Sequence, residues 1–150
     1  MSDVSTIKEL REQTGLSFDK IKHALDQTGG DKDKAVDLLK SQAGEAALKK
    51  SERQVKDGAI GSYVHNTGRV GAIVQVACET DFVARNEDFK SMARDLAIHA
   101  SAMRPADVAE MLIQPFVKDP EITVQEFINR AIAKLGENIQ LAGFSVLAIG

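Results

Sequence analysis

The sequence predicts an α+β fold, in which an N-terminal three-helix module and a helical linker precede an antiparallel three-stranded sheet packed with helices. Two features of the chain support this class. Residues 5–42 show helical spacing of apolar side chains interrupted by glycines. Beyond residue 58, segments rich in β-branched residues alternate with amphipathic helical segments, which is typical of a sheet covered by helices. A chain of 150 residues is long enough for one small module and a compact core.

Three short helices are predicted in residues 5–42. Thr6 and Glu9 have the spacing of a capping box, which would open the first helix there. Ser17 is placed to cap the second helix and Asp31 to cap the third. Because the apolar core of so short a segment is small, we expect this module to be marginal alone and to serve as a binding surface.

The composition also predicts how the chain divides. Residues 1–43 are expected to form the three-helix module. Residues 44–57 contain no proline and favour helix, so we interpret them as a helical linker. Residues 58–150 then form the α+β core domain.

A β-hairpin followed by a long helix should open this core domain. Residues 60–65 and 70–79 have strand character and are joined by a turn at 66–69. The next segment has apolar residues on one helical face and ends at Arg104-Pro105. The residues of that face are Phe89, Met92, Ala93, Leu96, Ala97 and Ala100.

The remainder of the core is predicted as a short helix near Val108–Ile113, a loop, a longer helix and a strand. Pro115 and Pro120 bracket the loop. Thr123 and Glu126 form a second capping box and start an amphipathic helix. Residues 139–149 are apolar enough for a last strand, which we expect at the centre of the sheet.

Charge and composition exclude several classes of function. The formal net charge is −3 and no segment is strongly basic, so direct binding to nucleic acid is not expected. No apolar run is long enough to span a bilayer, and the N-terminus lacks the pattern of a secretory signal. With a single cysteine the chain fits a reducing compartment, and we expect it to be cytoplasmic, with no contact to a membrane.

Residues that could support catalysis have simpler interpretations, so we expect the protein not to be an enzyme. Cys78 lies in an apolar alternation that favours a buried core thiol over a nucleophile. Asp95 and His99 are one helical turn apart and predict a surface pair. The three histidines share no metal-ligand spacing, and no glycine-rich phosphate loop is present, so no metal site, catalytic residue or cofactor is predicted.

The most informative segment joins the hairpin to the long helix, where Asp81 and Phe82 stand side by side. One interpretation is that Thr80 and Asp81 cap the helix. A second is that the helix starts at Asn86, which is followed by two acidic residues. Residues 80–85 would then form a separate bend, with Phe82 outside the buried face and free to enter another protein. The alternative is that Val83 and Ala84 pack Phe82 inward.

The segment TDFVARN at residues 80–86 resembles the hallmark of the bacterial elongation factor Ts family. Other segments match that family in the same order along the chain. Residues 10–15 and 30–39 resemble its ubiquitin-associated-like three-helix module, 58–65 its first core strand and 136–139 its last.

The resemblance implies a guanine-nucleotide exchange factor that binds elongation factor Tu carrying GDP. The Asp81-Phe82 pair would enter between two helices of the G domain of that partner and disturb the site of magnesium and the phosphates, so that GDP leaves. Magnesium and GDP would belong to the partner. The residues implied at this contact are Thr80, Asp81, Phe82, Val83, Ala84 and Arg85.

The resemblance further implies a second contact, through Thr14, Gly15 and Leu16 in the N-terminal module. Short members of the family form homodimers, so a homodimer in the complex is implied as well. Residues 141–145 lack the basic residues that the family often has there, and this strand could instead be a dimer edge. The alternative function is a peptide- or ubiquitin-like-binding adaptor that uses residues 5–42 and has no exchange activity.

Overall fold

The computed structural model describes residues 3–150. Its helices are α1 (Val4–Thr14), α2 (Phe18–Gln27), α3 (Lys32–Lys50), α4 (Asp81–Ala84), α5 (Glu87–Met103), α6 (Val108–Ile113) and α7 (Val124–Leu135). Its strands are β1 (Asp57–Val64), β2 (Val70–Cys78), β3 (Pro115–Phe116), β4 (Asp119–Thr123) and β5 (Gln140–Ala148). An antiparallel sheet in the order β1-β2-β5 is covered by helices, which confirms the predicted α+β class.

Helix α5 packs on the β1–β2 hairpin and forms the centre of the core. All six residues predicted for its inner face are buried. Gly61 permits the close approach, because a Cβ at this position would lie 2.4 Å from the carbonyl carbon and oxygen of Ala93. The backbone of α5 therefore rests directly on β1.

The last strand lies at an edge of the sheet, so the prediction of a central position is wrong. Among the described strands, β2 pairs with both neighbours, whereas β5 pairs with β2 alone. The prediction failed because β5 is apolar on both faces. Leu141 is buried in the core, while Leu147 is 81% exposed.

The face of the sheet opposite α5 is left uncovered by residues 3–150 and carries several exposed aliphatic side chains. Ile73 alternates with the buried Ala72 and Val74, so it points away from the core. The aliphatic residues of this outer face are each more than half exposed. They are Ile60, Val64, Ile73, Leu147 and Ile149.

The N-terminal module contains the three predicted helices, with one correction at its start. Helix α1 begins at Val4 and is capped by Asp3, whose carboxylate accepts from the amide of Ser5 at 3.1 Å. The predicted cap at Thr6 is wrong. A carboxylate is a strong acceptor and suits the positive helix end, so the helix starts one turn earlier. The predicted caps Ser17 and Asp31 are confirmed.

Module and core have separate apolar clusters but share a helix. The module cluster is formed by α1, α2 and the first half of α3, and the larger cluster belongs to the core domain. Helix α3 runs without interruption through residue 43 and packs against α7. The division into residues 1–43, 44–57 and 58–150 stays a prediction.

The short helix predicted near Val108–Ile113 is confirmed as α6, whereas the loop that follows it and the position of His99 differ from the prediction. The loop expected between Pro115 and Pro120 contains a two-stranded sheet of β3 and β4. His99 is fully buried rather than paired with Asp95 at the surface. Its Nδ1 accepts from the amide of Val117 at 3.1 Å, so its Nε2–H donates to Gln114 Oε1 at 2.8 Å. The capping box of Thr123 and Glu126 is confirmed.

Replacing Gly61 with alanine should destabilise the core domain. The added Cβ would overlap the backbone of Ala93, and overpacking of this kind costs about 1–3 kcal/mol. Gly143→Ala is the matched control, because Gly143 also lies in a strand and has no atom within 4 Å of the added carbon. Urea unfolding should show a lower midpoint for Gly61→Ala alone, and equal midpoints would contradict the close contact.

His99 should make stability depend on pH. Burial lowers the pKa of His99, so the unfolded chain takes up a proton first as the pH falls. The free energy of unfolding should hold above about pH 6.5 and fall below it, by up to about 1.4 kcal/mol per pH unit. Urea titrations between pH 8 and 5 should show a shallower pH dependence for His99→Gln. Identical pH profiles would argue against a buried neutral imidazole.

Candidate partner-binding site

The corner, defined as residues 80–85, is a single helical turn held between two helix caps. Thr80 caps α4 by accepting from the amide of Val83 at 3.4 Å. Asn86 then caps α5, and its side chain accepts from the amide of Asp88 at 2.7 Å. The interpretation of residues 80–85 as a separate bend is therefore confirmed, and Thr80 is also a cap, although of α4.

The side chains of the corner divide into an inner and an outer set. Ala84 is buried and Val83 is partly buried against the core cluster. Phe82 is 82% exposed, the highest value among the exposed large hydrophobic residues of the described chain. An exposed phenylalanine on a backbone that is anchored on its inner side is well placed to bury its ring in another protein.

An ion pair lies beside Phe82. The guanidinium of Arg85 donates to the carboxylate of Asp81, one helical turn earlier. More than half of each side chain is exposed, so the pair contributes only ~0–1 kcal/mol to stability. Its main effect is to hold the Asp81 carboxylate on one side of the turn.

Cys78 supports the corner from the side of the core. It is fully buried, and its thiol donates to the carbonyl oxygen of Thr80 at 3.2 Å. Burial raises the pKa of Cys78 to about 11, and the carboxylates of Glu137 and Asp57 act in the same direction. The thiol is therefore protonated at neutral pH and acts as a hydrogen-bond donor rather than as a nucleophile.

Glu137 lies between α7 and β5 and contacts the corner across a long sequence separation. Its Oε1 accepts from the amides of Glu79 at 3.1 Å and Thr80 at 3.0 Å. Its Oε2 accepts from the hydroxyl of Thr80 at 2.6 Å. From the sequence, Glu137 is predicted only to lie near the start of the last strand. No local pattern indicates its contact with Thr80, which is 57 positions away in the chain.

The predicted contact residues of the N-terminal module are mostly turned inward. Thr14 and Leu16 are buried, and the Thr14 hydroxyl donates to the carbonyl oxygen of Leu10 at 2.7 Å. Gly15 is exposed and has a φ of 72°, which allows the chain to leave α1. Arg130 of α7 donates to the carbonyl oxygen of Gln13 at 3.4 Å, so this loop lies beside the core.

An exposed aromatic residue follows that loop and was not singled out from the sequence. Phe18 is the first residue of α2 and is 42% exposed. Its spacing to Ile21 and Leu25 fits the buried face of the helix, so periodicity alone could not distinguish it from a core residue.

Residues 3–150 contain neither a candidate metal cluster nor a candidate membrane span. None of the His, Cys, Asp and Glu side chains in this range form a group of three or more that could hold a metal ion. Within these residues, every helix falls short of the length or the hydropathy that a membrane-spanning segment needs.

Fold and corner together define a class of protein-interaction factor. A small helical module is joined to an α+β core, and the core presents an aromatic side chain and an ion pair from a rigid turn between a strand and a helix. The corner belongs to the segment that known proteins share with this chain.

The family model described as "Elongation factor TS" matches residues 79–149. The elongation factor Ts of Geobacter metallireducens is 37% identical over 189 residues, covering 96% of this chain and 88% of that protein. The elongation factor Ts of a Synechococcus strain is 36% identical, covering 99% of this chain and 75% of that protein. The one of Carboxydothermus hydrogenoformans is 33% identical, covering 96% of this chain and 87% of that protein. This chain belongs to the elongation factor Ts family.

The relatives contain segments that this chain lacks. The match to the Geobacter protein spans 189 positions, which exceeds the 150 residues of the present chain. Part of the aligned Geobacter sequence therefore lies opposite gaps in this chain, although the alignment covers 96% of this chain and 88% of that protein.

Proposed function

We propose that this protein is a guanine-nucleotide exchange factor that binds elongation factor Tu carrying GDP and promotes release of the nucleotide. The observation that supports this most strongly is Phe82, which is 82% exposed on the family's hallmark corner. Family membership supplies the partner, because the relatives are elongation factors Ts.

The proposed mechanism is the insertion of the corner into the G domain of the partner. Phe82 enters between two helices, and the Asp81 carboxylate follows at its edge. This displacement disturbs the site that holds magnesium and the phosphates, and GDP leaves. Thr80, Ala84 and Arg85 keep the shape of the corner through the cap, the buried methyl group and the ion pair.

The energy available from one aromatic side chain limits the effect of the corner. Burying a phenylalanine contributes about 1.5–3 kcal/mol, which corresponds to about 10- to 150-fold in a rate. Larger accelerations must use the rest of the interface. The coupling is reciprocal, so GDP should weaken binding of this protein to the partner by the same factor.

The N-terminal module is proposed as a second contact on the same partner. Since the side chains of Thr14 and Leu16 are buried, this contact would use the exposed backbone at Gly15 and the neighbouring ring of Phe18. Two linked contacts increase the overall affinity, because the second forms at a high effective concentration once the first is made.

The exchange reaction proposed here breaks no covalent bond, so the protein is not an enzyme in that sense. Magnesium and GDP are proposed to belong to the partner, with no cofactor bound by this chain. Because elongation of protein chains takes place in the cytoplasm, we propose a cytoplasmic location, without direct binding to nucleic acid or membrane.

We further propose that the protein forms a homodimer through the outer face of its sheet. This face presents exposed aliphatic side chains on all three strands, with the small or polar residues Ser62, Gly71, Gln75 and Ser145 between them. Burying an apolar face of this kind against a second copy removes it from water on both subunits.

The adaptor hypothesis is less well supported. It requires the loop at residues 14–16 to carry the ligand, yet both side chains of that loop, those of Thr14 and Leu16, are buried. It also leaves the exposed Phe82 without a role. No observation on the fold or among the relatives favours it.

Replacing Phe82 with alanine should slow nucleotide release. In stopped-flow measurements with elongation factor Tu and a fluorescent GDP analogue, we expect wild-type protein to accelerate release and Phe82→Ala to lose about 10- to 150-fold of the rate. Ile113→Ala is the matched control, since Ile113 is an aliphatic residue 74% exposed on α6 and lies outside the corner. A folded wild-type protein that gives no acceleration would contradict the proposed function.

Placing a charge on the outer sheet face should prevent dimerisation. Ile73→Glu would bury an unpaired carboxylate in the proposed interface, which is strongly unfavourable. Leu48→Glu is the control, because Leu48 is 75% exposed on α3 and does not belong to the outer sheet face. Sedimentation equilibrium should give a dimer for wild type and control and a monomer for Ile73→Glu. A wild-type monomer at all concentrations would refute the dimer.

A further inference from the structure

We propose that Glu137 is the positioning residue of the exchange site and that its carboxylate sets the direction in which the corner presents Phe82. Glu137 does not belong to the corner and contacts it only through the backbone amide and hydroxyl of Thr80. Its effect on exchange rests on the proposed function, whereas its effect on the order of the corner does not.

The Glu137 carboxylate accepts hydrogen bonds from several donors at the point where the chain leaves the sheet. β2 ends at Cys78, so the amides of Glu79 and Thr80 lie beyond the strand pairing and need another acceptor. Both donate to Glu137 Oε1. An ionised carboxylate only accepts hydrogen bonds, so it can take all of these donors at once.

The third contact sets the cap of α4. The Thr80 hydroxyl donates its single proton to Glu137 Oε2 at 2.6 Å. Its oxygen lone pair is then free to accept from the amide of Val83 at 3.4 Å, which is the capping bond. Glu137 therefore fixes the rotation of the hydroxyl that starts the helical turn carrying Phe82.

Glu137 is itself held in place by a reciprocal contact. The carboxylate of Glu79 accepts from the amide of Asn138 at 2.8 Å. The Asn138 side chain is buried and donates to the carbonyl oxygen of Arg53 at 2.7 Å, near the end of the linker. The two acidic residues thus join the end of β2 to the start of β5 in both directions.

Phe82 depends on this arrangement because its own side chain has little support. With 82% of its surface exposed, the ring is directed by the backbone of α4 rather than by packing. If the acceptors at Glu137 are removed, the start of α4 is held mainly by Cys78 and by the buried Ala84. The corner must then be ordered when it inserts, which slows the insertion step.

The kinetic test uses Glu137→Gln and Glu137→Ala in the full chain. Glutamine keeps one acceptor oxygen and therefore loses at least one of the three bonds, whereas alanine loses all of them. At saturating factor, Glu137→Ala should lower the maximal rate of GDP release about tenfold, with Glu137→Gln in between. The half-saturating concentration should change less, because the other contacts remain. Glu121→Gln, an exposed residue with the same change of charge, should match wild type.

A double variant separates positioning from a general loss of structure. If Glu137 acts through Phe82, Glu137→Ala should have little further effect on the rate in the Phe82→Ala background. Independent, multiplied losses would overturn the proposal. A wild-type maximal rate in folded Glu137→Ala would overturn it as well, and would leave the exchange function itself intact.

A second readout needs no partner and stays valid if the exchange function fails. The chain contains no tryptophan, so Phe82→Trp provides a single reporter on the corner. Time-resolved fluorescence anisotropy should show a larger fast component for Phe82→Trp with Glu137→Gln than for Phe82→Trp alone. Phe18→Trp in the N-terminal module serves as the control and should not respond. An unchanged fast component at position 82 would overturn the proposal even if Glu137→Ala does not fold.

Discussion

The close packing of α5 against the β1–β2 hairpin is the contact on which the rest of the structure depends. At Gly61 the backbone of the helix lies directly on the strand, and no side chain separates the two. This contact fixes where α5 begins relative to the end of β2. The corner has to connect these two points within a few residues, so its single helical turn and its two caps follow from the packing of the core.

The corner combines strong support on its inner side with exposure on its outer side. Cys78, Glu137 and Ala84 hold it to the core, while Phe82 projects beyond the surface. Ordering a residue during binding uses up part of the binding free energy. A partner-binding residue that is already ordered leaves that free energy available for displacing contacts within the partner. The six residues of the corner meet this requirement, because the inner side chains hold the backbone in place while the outer one is exposed.

Much of the fold could be predicted from local patterns, and the errors have physical causes. The buried face of α5, the cap at Ser17 and the capping box at Thr123 depend on neighbouring residues, so sequence spacing was sufficient. The central position of the last strand was mispredicted, because apolarity on both faces does not distinguish a buried strand from an edge strand with an exposed aliphatic face. For the candidate site, spacing could suggest that Phe82 lies outside the core. It could not reveal Glu137, whose contacts depend on the tertiary fold.

The insertion of the corner can be tested most directly by placing a photoreactive phenylalanine analogue, p-benzoylphenylalanine, at position 82. The side chain at this position is 82% exposed, so the analogue should leave the fold unchanged. Irradiation with elongation factor Tu carrying GDP should give a crosslink that maps to the G domain, next to the magnesium and phosphate site, and excess GDP should reduce its yield. Crosslinks confined to other domains, or no crosslink from a complex shown to form, would contradict the insertion of Phe82.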